Sequence, residues 1–254
     1  VLLLASIAGA AAAIPLALEI FQPQVQNAPP LTIPLPLLIA IGVAQNLALL
    51  GLAVGLGLAL GRKIGLGAPL LEGWLYHQPA PHRFTDVLKT GVLVGVAVGV
   101  VVLIPILIAA PHFPGLPFVT AARVSVWKRF LAGFYGGIVE EVLARLFLLS
   151  LLAWLGMKIF QRGKTGLSSA VFWTANLIVA ILFGLGHLPS ASLVMKITPA
   201  VVLLALTLNG IAAVAFGWLY RKRGLEAAMI AHFCADFVLY VVGVAFLRFL
   251  PLHS

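Results

Sequence analysis

Seven long apolar runs dominate this chain, parted by short clusters of proline, glycine and charged residues. They lie at about residues 1–22, 33–61, 90–110, 130–155, 166–188, 197–219 and 224–247. Each is near the ~20 residues that carry an α-helix across a hydrocarbon core of about 30 Å. The pattern predicts an all-α, polytopic transmembrane helical bundle of about 7–8 helices. The opening run, VLLLASIAGA, lacks a basic n-region and is expected to stay in the membrane as a helix rather than act as a signal peptide.

Helix-breaking residues mark the joints: QNAPPLTIP (26–34), APHFPG (110–115), HLPS (187–190) and RKRG (221–224). The connection 62–89 is the longest, and its mixture of Trp, Tyr, His and Pro predicts a segment lying in the interface. No internal repeat is evident.

Composition agrees with this reading. Hydrophobic residues make up 62% of the 254 positions and charged ones 9%, against about 25% charged in a soluble domain. The net charge of +9 comes from 16 Lys+Arg set against 7 Asp+Glu. The basic residues flank apolar runs, so lipid headgroups, not nucleic acid, are the expected counterpart. Ten of them fall in the second, fourth and sixth connections, and five in the other connections and the tail. By the positive-inside rule those three connections face the cytoplasm; the amino terminus is expected outside. A single cysteine, Cys234, excludes an intramolecular disulfide.

The stretch IVEEVLARLF (138–147) breaks the economy of charge. Glu140, Glu141 and Arg145 share one membrane segment, where each ionisable group costs about 2.5–3.5 kcal/mol on insertion scales. Glu141 and Arg145, spaced i,i+4, face each other and predict an ion pair. On an α-helix Glu140 points about 140° away from Arg145 and is left for another task. FGLGH places Phe183 four residues before His187, with Asn176 returning to nearly the same face. HFCAD places His232 and Asp236 on one face of the last segment. His77, His82, His112 and His253 fall in loops or the tail. Carboxylates and imidazoles gathered on three helices suit hydrolysis in a wet cavity: a glutamate takes a proton from water, and polarised donors steady an oxyanion.

These residues carry a family resemblance. EEVLAR, FGLGH and HFCAD resemble the EExxxR, FxxxH and HxxxN/D motifs of the CPBP family, the CAAX-protease and bacteriocin-processing membrane proteins also called ABI. The resemblance implies an intramembrane glutamate endopeptidase. Glu140 activates water; His187, His232 and Asp236 orient it or stabilise the oxyanion; Glu141, Arg145, Phe183 and Asn176 support the site. It also implies a catalytic core in 121–254, with 1–120 supplying the first membrane helices and the interfacial loop of a single integral-membrane domain. The expected partners are the bilayer and a membrane-associated peptide or protein, in a prokaryotic cell membrane. The prenyl-protein endopeptidases of that family usually carry Asn where this chain has Asp236.

Three alternatives remain open at this point. Glu140, His187 and His232 are the donor types of a catalytic zinc site, although the resemblance implies no cofactor. The same scaffold suits an inactive peptide-binding or immunity protein, and intramembrane acids also serve as proton relays in transporters. Cys234, two residues from His232, points to another face and reads as a small buried hydrophobe. Gly133 and Gly137 form a GxxxG pair that predicts close helix packing beside the site.

Overall fold

A computed structural model describes residues 1–26, 34–113, 115–162 and 166–249. His253 and most of the joint 26–34 lie outside these ranges. The described residues are helical and contain no strand. The helices are α1 (Leu2–Gln26), α2 (Leu35–Lys63), α3 (Pro69–Tyr76), α4 (Phe84–Ala109), α5 (Pro117–Ala121), α6 (Val126–Phe134), α7 (Ser150–Phe160), α8 (Ser169–Gly186), α9 (Leu188–Ser192), α10 (Pro199–Arg223) and α11 (Leu225–Asp236). Between α6 and α7 the chain continues without a break through two π-helical stretches, Tyr135–Glu140 and Val142–Leu149. A third, Phe237–Val242, extends α11.

Seven of these rods are long and apolar enough to cross a membrane: 2–21, 36–63, 84–109, 126–160, 169–192, 199–223 and 225–247. They match the seven apolar runs to within about six residues at each end. The third begins at Phe84 rather than near 90, and the fourth runs from Val126 to Phe160, which draws Lys128 and Arg129 into a helix expected to start at 130. Seven crossings also put the amino end on the same side as 62–89, so the expectation of an amino terminus opposite those basic loops is corrected.

Local chemistry sets the ends. Ser168 and Thr198 cap α8 and α10 by accepting the amides of Val171 and Val201, each at 3.3 Å, and Pro199 follows the second cap. Arg221, Lys222 and Arg223 close α10 beside its negative dipole end. Gly224, at φ +91°, then turns the chain into α11.

Glycines decide which helices touch. Gly91, Gly95 and Gly99 of α4 lie against Ala227, Ile230, Ala231, Ala235 and Val238 on the last span. A Cβ at Gly95 would come within 2.8 Å of the Ala231 Cα. On the other side, Gly9 of α1 faces the Phe134 carbonyl and Gly57 of α2 faces Leu146. The 126–160 rod is thus held between α1 and α2 on one side and α11 on the other, as small-residue contacts allow in membranes.

The 62–89 connection carries the short helix α3 and packs on the bundle along one side. Trp74 and Tyr76 of α3 are exposed while Leu70 and Leu71 pack on the core. It is tied down by Glu226 Oε1, which accepts the Leu71 amide at 2.8 Å, and by the Leu225 amide on the Gly67 carbonyl.

Candidate active site

The fourth span brings Glu140, Glu141 and Arg145 to the centre of the bundle. Glu141 and Arg145 are completely buried, with Glu141 Oε1 2.8 Å from Arg145 Nη1. The predicted ion pair is present. Phe183 and Phe216 lie on the guanidinium, with ring centroids 4.9 and 5.5 Å from Arg145 Cζ. These cation–π contacts serve N–H groups that find no well-aligned acceptor.

The helix is not the expected α-helix here. In a π stretch the backbone closes at i,i+5, so residues five apart turn towards the same side. Glu140 is therefore not swung about 140° from Arg145, as an α-helix requires. Its separate role comes from its neighbours instead. Glu140 Oε1 lies 3.9 Å from His187 Nε2, and Oε2 lies 3.6 Å from His232 Nε2.

The two imidazoles reach this point from different helices. His187 caps the C-terminal end of α8, and its Nδ1 donates to the Phe183 carbonyl at 2.7 Å. Its ring stands edge-on to that of Phe183, 4.8 Å away. His232, in α11, puts Nδ1 2.7 Å from Glu141 Oε1. Phe216 lies 5.0 Å from its ring. Asp236, one turn on, has Oδ2 3.9 Å from His232 Nε2. Side-chain exposure falls from 35% at His187 through 21% at Glu140 and 18% at Asp236 to 8% at His232, so the cluster opens towards His187.

Glu140, Glu141, Arg145, Phe183, His187, His232 and Asp236 thus meet in one place. Asn176 takes a different position: it is buried, donates to the Val214 carbonyl at 3.1 Å and presses on Gly217, joining α8 to α10. Gly133 and Gly137 pack against Phe233, as the GxxxG reading requires. Cys234 faces Gly95 on α4 and not the cluster. Among the described residues no group of three or more His, Cys, Asp or Glu side chains is disposed to hold a metal ion.

Three contributors escaped the sequence reading. Phe216 looks like any apolar residue of its run. Gly136, between the two glycines already noted, leaves room for Asp236 and His232; a Cβ there would lie 2.9 Å from His232 Nε2. Arg129, counted with the loop residues, is buried and donates through Nη1 to the Tyr240 carbonyl at 2.6 Å. Both it and Lys128 lie inside the lengthened rod, but Arg129 turns inward while Lys128 pairs with Glu19 on α1.

Fold and cluster together define a class: an integral, multi-pass membrane protein whose ionisable groups converge between its helices. Residues 122–238, just under half of the chain, match the family model described as Type II CAAX prenyl endopeptidase Rce1-like. The match takes in every residue of the cluster and indicates a protease. Comparison with the curated proteins and with the solved structures found no match.

Proposed function

We propose that the protein is an intramembrane endopeptidase in which Glu140 activates water to cut a membrane-associated peptide or protein. The observation that carries this reading is the position of Glu140: its two carboxylate oxygens face two imidazoles, while the buried cation nearby pairs with Glu141. A carboxylate so placed is free to act as a general base.

Water held at Glu140 loses a proton as its oxygen attacks the scissile carbonyl. The developing oxyanion then needs donors. Asp236 supplies one when its carboxyl carries a proton, and each imidazole supplies one from Nε2 when it is protonated. The catalytic set is Glu140, His187, His232 and Asp236, all in the 121–254 core. Residues 1–120 contribute the helices that grip the 126–160 rod. A metal-free mechanism and a prokaryotic cell membrane are parts of the same proposal.

Glu140→Gln tests it. The variant keeps the size and position of the side chain but removes the base, so peptide cleavage in lipid vesicles is expected to fall by at least 10²-fold while substrate binding persists. Undiminished cleavage by this variant rules the reading out. A biological effect that survives without cleavage selects the inactive peptide-binding alternative instead.

A further inference from the structure

We infer that Glu141 is a positioning residue that fixes the tautomer of His232, and that His232 carries the proton from Glu140 to the leaving amine. The inference rests on the proposed endopeptidase reading and assigns the roles within it.

Hydrogen-bond partners determine where the ring protons sit. The Phe183 carbonyl can only accept, so the 2.7 Å contact places a hydrogen on His187 Nδ1. Glu141 Oε1 also faces Arg145, whose guanidinium can only donate, so the carboxylate acts as an acceptor towards His232 Nδ1 as well. Both neutral rings then carry hydrogen on Nδ1 and a lone pair on Nε2. Both lone pairs face Glu140. When neutral, the imidazoles therefore accept protons at Nε2 and cannot donate to an oxyanion from it.

The two rings are not equivalent as carriers. His232 bonds an ionised carboxylate, and such charge-assisted bonds are roughly twice as strong as neutral ones. His187 bonds a neutral carbonyl and is much more exposed, with 35% against 8% of its side chain accessible. Glu141 strengthens its bond when His232 becomes imidazolium, as the buried aspartate does in a serine-protease triad. Asp236 Oδ2, 3.9 Å from Nε2, adds a second acceptor on the same side.

The water oxygen bonds to the carbonyl carbon, the carbonyl electrons move to oxygen, and one water proton goes to Glu140. That proton passes from Glu140 Oε2 to His232 Nε2 across the 3.6 Å gap. The oxyanion's electrons then re-form the carbonyl as the C–N bond breaks, the C–N electron pair stays on nitrogen, and His232 Nε2–H protonates that nitrogen. The products are a carboxylic acid and an amine, with Glu140 and His232 returned to their starting forms.

Nitrogen NMR of detergent-solubilised protein labelled with ring-15N histidine tests the assignment directly, with the His232 signals identified by their loss in His232→Gln. The expected spectrum shows His232 with a protonated Nδ1 and an unprotonated Nε2. The reverse pattern, or a resting ring protonated on both nitrogens, overturns the inference. The double variant Glu141→Gln/Arg145→Met removes both buried charges together. It is expected to release the tautomer preference and to lower kcat by about 10²–10⁴-fold with KM little changed. A fixed Nδ1–H tautomer in the double variant, or a kcat within about threefold of the original, also overturns it. If the double variant does not fold, the spectrum of the unaltered protein alone decides. Cleavage by Glu140→Gln sinks the wider reading without touching the tautomer, so the two failures are distinguishable.

Discussion

Glu141 and Arg145 form an ion pair 2.8 Å apart with neither side chain exposed at all. Removing one partner strands a charge in the bundle, at a cost of about 3–5 kcal/mol, whereas replacing both with neutral groups of similar size is nearly neutral. Arg145→Met is therefore expected to lower the thermal unfolding temperature in detergent sharply. Combining it with Glu141→Gln should recover most of that loss.

Gly136 gives the site its width. A methyl group there would crowd His232 Nε2 and Asp236 Oδ2, displacing groups whose placement within about 1 Å is worth around 10²-fold in rate. Gly136→Ala is expected to cut kcat by about that factor while the unfolding temperature changes little. Equal activity in the two proteins means the cluster is not positioned as described.

Gly95 offers the opposite case, in which packing is at stake and chemistry is not. An added methyl meets the Ala231 backbone and Cys234 where α4 crosses α11. Overpacking of this kind costs about 1–3 kcal/mol. Gly95→Ala should destabilise the protein in detergent, and any loss of activity should follow the loss of folded protein.

Asp236 stands where the resembled HxxxN/D motif also accommodates an amide. An amide donates at every pH, while a carboxyl donates only when protonated. Asp236→Asn is expected to stay active, and its rate relative to the unaltered protein should rise as pH rises. A ratio that is flat with pH removes Asp236 from the set of donors.

Activity is expected to survive incubation with a strong chelator, with no stoichiometric metal in the purified protein. Loss of activity that zinc restores would instead make Glu140, His187 and His232 the ligands to examine.

Much of the site was legible because charge is so costly in an apolar helix. Glu140, Glu141, Arg145, His187, His232 and Asp236 stand out against their runs, and spacing alone paired Glu141 with Arg145. Only α-helical geometry separates Glu140 from that pair by spacing, and the π stretches depart from it. Hydrophobic pattern cannot report a change from i,i+4 to i,i+5 bonding, because every turn of the rod is apolar either way. Asn176 shows the same limit. Its register suited the site, but its amide found the Val214 carbonyl first.

Hydropathy by itself determined that this chain crosses the membrane, and nearly where, because about 20 apolar residues leave few other stable choices. It also marked which side chains had to find partners. Only the tertiary structure decided who those partners are. Close glycine contacts set α4 on α11 and α1 and α2 on the central rod, and that packing brings His232 to Glu141 and both imidazoles to Glu140. Partner choice depends on distances of a few ångströms between helices far apart in the chain, and a one-dimensional pattern does not carry that information.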